Sequence, residues 1–219
     1  MTLTVAFALT AVASATASAA LPEFVPGTGE KLPIKLEGSV SGATEVTLRN
    51  ETNNGIYCDG TSFKGEITGA KAASLTAELK NCKAEDKSNY QCSTSGAGTG
   101  DVVVSGSGTL NYIDKATKRV GLVLKVAKEE ILCGGAYEYV IRGSIVIPLN
   151  PIDTKTSTLD MAIKGLTKQE FTSYENESGE IKTAKLEVEV GAGFQPLVWN
   201  VGVVGEIALS ASKPFTISA

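Results

Sequence analysis

Carboxylates are the residues of this chain best placed to do chemistry, because the side chain most often used for it is missing. The sequence holds 24 Asp and Glu and no histidine. Without imidazole there is no Ser-His-Asp or Cys-His nucleophile, no His-ligated zinc, copper or haem, and no side-chain switch near neutral pH. What remains is paired-carboxylate catalysis, oxygen-ligated calcium, or binding without turnover. Glycoside hydrolysis needs two carboxyl groups across a cleft, one of them with raised proton affinity. Glu66, Glu138, Glu170 and Glu206 each sit among apolar neighbours in strand-like stretches and are the candidates. Alternating carboxylates on strands are more often a solvated face than a catalytic pair. No catalytic residue is therefore assigned.

Ligand binding on a sheet uses exposed aromatic rings. Tyr137 and Tyr139 share parity and lie on one face of a strand, with Glu138 and Arg142 on the other. Trp199, the sole tryptophan, follows Gln195-Pro196 in another strand-like stretch. These three are the candidate ligand-binding residues, with Tyr57, Tyr90 and Tyr112 flanking the cysteine region. Against this, a tyrosine pair in a strand is commonly half-buried packing whose hydroxyls reach water. Calcium could use Glu175, Glu177 and Glu180, yet no Asp-x-Asp-x-Asp-Gly loop is present. No metal and no cofactor is expected. Asn50-Glu51-Thr52 and Asn176-Glu177-Ser178 match the glycosylation sequon and read as accidental.

The four cysteines, Cys58, Cys82, Cys92 and Cys133, are separated by 23, 9 and 40 residues, which fits no zinc pattern. They read as two disulfides, for which three pairings exist. Two arguments favour a nested arrangement of Cys82–Cys92 and Cys58–Cys133. The first pair brackets a polar excursion and would clamp its base. The second pair sits in similar strand ends before glycine turns, Cys58-Asp59-Gly60 and Cys133-Gly134-Gly135.

The elements that must position these residues are strands. Ile34, Leu36 and Val40 alternate with polar residues, as do Leu75, Ala77 and Leu79, and Leu186, Val188 and Val190. Val120, Leu122, Leu124 and Val126 face one side after Asp114-Lys115-Ala116-Thr117-Lys118, the clearest hairpin loop in the chain. Helical periodicity is nearly absent. The fold class is all-β, an antiparallel barrel or sandwich of about twelve to fifteen short strands, stabilised by disulfides. If it closes, its interior is either filled or hollow as in a lipocalin. Residues 21–151 form the disulfide-bonded β-domain. Pro148-Leu149-Asn150-Pro151 breaks it from residues 152–219, whose strands join the same domain or form a second β-layer.

Residues 1–20 are uncharged and rich in Ala, Val, Leu and Phe, and end in the small residues Ala17-Ser18-Ala19. They read as a signal peptide cleaved before Ala20 or Leu21. No basic residue precedes Lys31, so the expected translation start lies upstream. Every later apolar run is interrupted by charge or glycine, which leaves no transmembrane span after leader removal. The net charge of −4 with no basic cluster argues against nucleic-acid partners and against adsorption to anionic lipid. The expected location is secreted or at the cell surface.

Several stretches occur together in one order: Cys58 before Gly65-Glu66-Ile67-Thr68-Gly69, Asn81-Cys82, Cys92-Ser93, Leu110-Asn111-Tyr112-Ile113-Asp114, Val120-Gly121-Leu122, Cys133, and Val140-Ile141-Arg142-Gly143-Ser144. In this the chain resembles a family of uncharacterised, exported, four-cysteine, β-rich proteins of high-GC Gram-positive bacteria. The resemblance covers residues 21–150 well and the remainder weakly. It implies export and a disulfide framework and carries over no functional residue. The expectation is an exported, non-enzymatic β-protein with a structural or binding role at the cell envelope, its partner a glycan or cell-wall polymer. The alternative is a small carbohydrate-active enzyme using paired carboxylates.

Overall fold

Period-two alternation becomes strands that each bury one face. The structure, a computed structural model, describes residues 21–40, 46–49, 55–84, 90–163, 170–191, 197–200 and 202–219. The leader and the turns assigned to Ser41–Ala43 and to residues 50–54 lie outside the described residues. No helix occurs among those described, and 17 strands join in one antiparallel sheet.

Eight of the strands close on themselves. In spatial order they are β2 (Ile34–Val40), β5 (Gly60–Ile67), β6 (Ala72–Lys80), β9 (Val102–Asp114), β10 (Arg119–Cys133), β11 (Tyr137–Asn150), β12 (Thr156–Ile163) and β17 (Gly202–Ser218), which pairs back onto β2. The chain is thus an eight-strand closed antiparallel barrel with extra strands. An eight-strand barrel has an interior just wide enough for side chains to fill. Here Ile34, Ile67, Leu110, Leu122, Ile147 and Leu209 are among those that fill it. Gly106 and Gly108 in β9 leave the space that Leu124 and Leu122 occupy; a Cβ at either position would come within 2.9 Å of those leucines. The interior is a packed core and not a lipocalin-like chamber. At one end β1 (Glu23–Pro26) pairs with β17 and sets Phe24 edge-on against Phe215, ring centroids 6.0 Å apart.

The hairpin loop at Asp114–Lys118 forms as its composition predicts. The Asp114 Oδ1 accepts from the Ala116 and Thr117 amides, and Lys118 takes a left-handed φ of 53°. Pro148 does not end its strand. It lies inside β11, opposite Gly121. The Ser144 amide donates toward the Lys185 side, so by period two residue 148 would donate to that same side. The missing N–H of Pro148 therefore points away from β10 and takes no bond from the ladder it makes with Gly121. The chain beyond Pro151 supplies β12 and β17, two members of the closed ring.

A second core adjoins the barrel and contains all four cysteines. It is covered by the far ends of β10 and β11 together with β3 (Val46–Arg49), β4 (Gly55–Cys58), β7 (Lys83–Ala84), β8 (Cys92–Thr94) and β15 (Leu186–Gly191), on which β16 (Leu197–Asn200) pairs in turn. A bulge connects the two regions. Ala127 and Lys128 in β10 oppose the single Arg142 in β11, between the pairs Val126–Gly143 and Glu129–Ile141. The extra residue flips the parity of β10, so even-numbered Leu122 and Leu124 face the barrel while odd-numbered Ile131 and Cys133 face the second core. A short hairpin, β13 (Ser173–Glu175) and β14 (Ile181–Thr183), lies outside the barrel wall, and its Tyr174 packs against the small cluster of Val123, Val146 and Ala184.

Candidate functional site

The disulfides join residues that face each other across neighbouring strands. Because Tyr57 in β4 pairs with Lys83 in β7, Cys58 meets Cys82, with Cα atoms 4.1 Å apart. Cys92 in β8 pairs directly with Cys133 in β10, Cα atoms 4.0 Å apart. The nested expectation of Cys82–Cys92 and Cys58–Cys133 is therefore wrong. Similar strand-end settings do not tell which strands are neighbours, and Cys58 and Cys133 end strands that do not pair. Cys82 and Cys92 do adjoin, but through the Cys92 amide donating to the Cys82 carbonyl. Two disulfides fit an oxidising environment.

The proposed tyrosine platform does not form. Tyr139 is 4% exposed and belongs to the second core. Tyr137, on the same face, is half-buried against that core and packs on Tyr90, ring centroids 5.8 Å apart. Trp199 lies in β16 opposite Val188, away from that pair along the strand order; its side chain is outside the described residues.

The carboxylate candidates are also scattered. Glu66 pairs with Lys35 and Ser74 in the ladders of β5, Glu138 lies opposite Leu132 in β11, and Glu170 is exposed near the barrel end. The Glu206 side chain is outside the described residues. Among the described residues, each carboxyl that departs from its ordinary proton affinity has it lowered. Lys64 does this to Glu78 at 3.0 Å, and Lys185 followed by Arg142 does it to Glu187. A general acid needs the opposite shift. The trio suggested for calcium is engaged with lysines: Glu175 with Lys115 at 2.9 Å, Glu177 with Lys71 at 3.9 Å, and Glu180 with Lys182 at 2.6 Å. No group of three or more metal-ligating side chains occurs among the described residues.

What the second core does present is a shallow open cleft of about 680 Å³ on its outer face. The alternation that sends Ile56, Ala84, Cys92, Ile131 and Cys133 inward sends Lys83, Gln91, Ser93 and Leu132 outward. The register holds them together: Lys83 bridges to Gln91, and Ser93 faces Leu132. Tyr90, 43% exposed, and Leu132, 50% exposed, are the apolar surfaces. Gly134, at φ 60°, leaves room for the Tyr90 ring, which a Cβ there would meet at 2.5 Å, and the Gly134 amide donates to the Gln91 carbonyl at 2.9 Å. Sequence reasoning placed Tyr90 beside the cysteines but not in a site. The signal was its position two residues before Cys92, which anchors it only once Cys92 is known to join Cys133.

No family model matches the chain, no curated protein matches it in sequence, and no solved structure matches it in fold. Its chemistry must be read from its own residues.

Proposed function

We propose that this is an exported, non-enzymatic β-protein with a binding role at the cell envelope, of the four-cysteine kind its sequence resembles. One observation carries the reading: both disulfides converge on one core, and the outer face of that core is an open cleft with exposed tyrosine and leucine, neutral polar groups and one lysine. A rigid stapled surface of this composition suits recognition. Shifted carboxyls that are lowered, and a barrel filled with side chains, also favour binding over turnover. The two disulfides favour an exported location over a reducing cytosol.

Expression of the full chain in an exporting Gram-positive host tests this reading. Fractionation is expected to place the protein in the envelope or the medium, with its N-terminus at Ala20 or Leu21 and both disulfides closed. Retention in the cytoplasm with the leader intact and the thiols free would overturn it.

A further inference from the structure

We propose that the cleft formed by Tyr90, Gln91, Lys83, Ser93, Thr99 and Leu132 is a saccharide-binding site. This rests on the binding role proposed above and gives it a place and a ligand class. Saccharides present two kinds of surface at once: apolar C–H faces that stack on aromatic rings, and dense hydroxyls that need neutral donors and acceptors. The cleft offers both. The Tyr90 ring is held by Tyr137 and by the glycine at 134, so its orientation is set before any ligand arrives. Leu132 extends the apolar surface.

The polar groups around that surface are available. The Gln91 amide, the Lys83 ammonium and the Tyr90 hydroxyl make no hydrogen bond or ion pair with another described residue, in a protein whose lysines are commonly paired. Ser93 Oγ accepts from the Gly100 amide at 2.9 Å, which leaves its own proton to donate. Lys83 can donate to ring hydroxyls or meet the carboxylate of an acidic sugar. Rigidity comes from the bridge between Cys92 and Cys133, whose chain neighbours Gln91, Ser93, Leu132 and Gly134 all line the cleft.

Two other clefts fit less well. At the barrel end Arg119 sits over the Phe171 ring at 4.3 Å, and Lys118 is paired with Asp153 at 3.0 Å, so cation, ring and carboxylate are engaged with one another. The groove across β6, β9 and β10 is lined largely by small residues, and the ring among them, Tyr174, is packed against Val123, Val146 and Ala184.

Binding of the intact protein to short glucan, chitin and polyuronate oligosaccharides, followed by NMR of backbone amides and by calorimetry, tests the assignment. At least one of these is expected to bind, to shift the amides of Lys83, Gln91, Leu132 and Gly134, and to lose about tenfold or more in affinity in Tyr90→Ala. Gln91→Ala, at an exposed position, reports on the same cleft if Tyr90→Ala fails to fold. Tyr174→Ser, on the far barrel wall, should bind as the parent does. A polyuronate that binds alone among the three and is lost in Lys83→Met assigns the cleft to acidic sugars; a glucan or chitin chain that survives Lys83→Met assigns it to neutral ones. Binding that survives both Tyr90→Ala and Gln91→Ala, or no binding by any of the three, overturns the site. An exported protein that binds none of them sinks this inference and leaves export standing, whereas saccharide binding by a cytoplasmic protein does the reverse.

Discussion

Cys133 lies directly opposite Cys92, so the disulfide between them bridges β10 and β8 in register, with Cα atoms 4.0 Å apart. Forty residues of chain separate the two, including most of β9 and β10 of the barrel. The bridge lies within the second core, where β10 ends, and holds the chain on either side of the cleft.

Loss of either disulfide should destabilise the protein by a similar amount. The bridges span 24 and 41 residues, and loop entropy assigns them about 3.5 and 4 kcal/mol. Cys58→Ala/Cys82→Ala and Cys92→Ala/Cys133→Ala should each lower Tm by roughly 10 °C. Non-reducing peptide mapping should recover Cys58 linked to Cys82. A peptide joining Cys82 to Cys92 would refute the pairing, and a difference of more than about 2 kcal/mol between the two variants would refute the entropic account.

Gly143 should tolerate alanine far less well than Gly135. Its φ is 109°, and a Cβ would strike the Lys185 carbonyl oxygen, part of the backbone and unable to move aside. It also faces Val126 at the edge of the bulge, where β11 passes from one core to the other. Gly135 is at φ 72° with nothing within 4 Å of a Cβ. Chemical denaturation should show a loss of about 3 kcal/mol or more for Gly143→Ala and about 1 kcal/mol for Gly135→Ala. Equal losses would mean that backbone conformation alone matters at both positions.

Thr61→Val should raise stability. Thr61 is 9% exposed in β5, opposite Leu79, and its Oγ1 is buried with no hydrogen-bond partner among the described residues. A hydroxyl left unsatisfied in the interior costs about 1–3 kcal/mol, and valine keeps the shape without that cost. The expected gain is about 1 kcal/mol, or a rise in Tm of about 2–4 °C. A clear destabilisation would reveal a buried partner for the hydroxyl.

Stability should stay flat across neutral pH and fall at both extremes. There is no histidine to titrate between about pH 5 and 8. The Ala219 amide, followed by Lys118, holds the Asp153 carboxyl below the ordinary carboxylate range, and Lys182 does the same to Glu180. A depressed folded value adds stability above the unfolded value and loses it as pH falls through the folded one. The acid decline should therefore begin below about pH 4. Lys80, through Asp101, and Lys128, through Glu130, are raised, so their contribution is complete below the ordinary lysine value and is lost above it. Urea midpoints against pH check the profile, and Asp153→Asn should soften the acid limb. An inflection near pH 6.5 would contradict it.

Sequence alone determined what depends on local spacing and on residue inventory. Alternation at Leu75, Leu79, Leu186 and Val188 predicted buried strand faces, because period two is a property of one strand. The loop at Asp114–Lys118 was legible since its hydrogen bonds span only two or three residues. The missing histidine removed whole classes of catalysis without any structure. Tertiary structure decided everything that depends on which strands become neighbours. Pro148 looked like a boundary, yet β11 runs through it, because its missing N–H faces away from the β10 ladder. The parity of β10 looked constant until two residues, Ala127 and Lys128, opposed one. Tyr137 and Tyr139 shared a face as expected, but only the second core decided that this face points inward. Tyr90 and Gln91 lie far from Leu132 in the chain and meet it because Cys92 pairs with Cys133, a register set by side chains across the sheet and invisible along one strand.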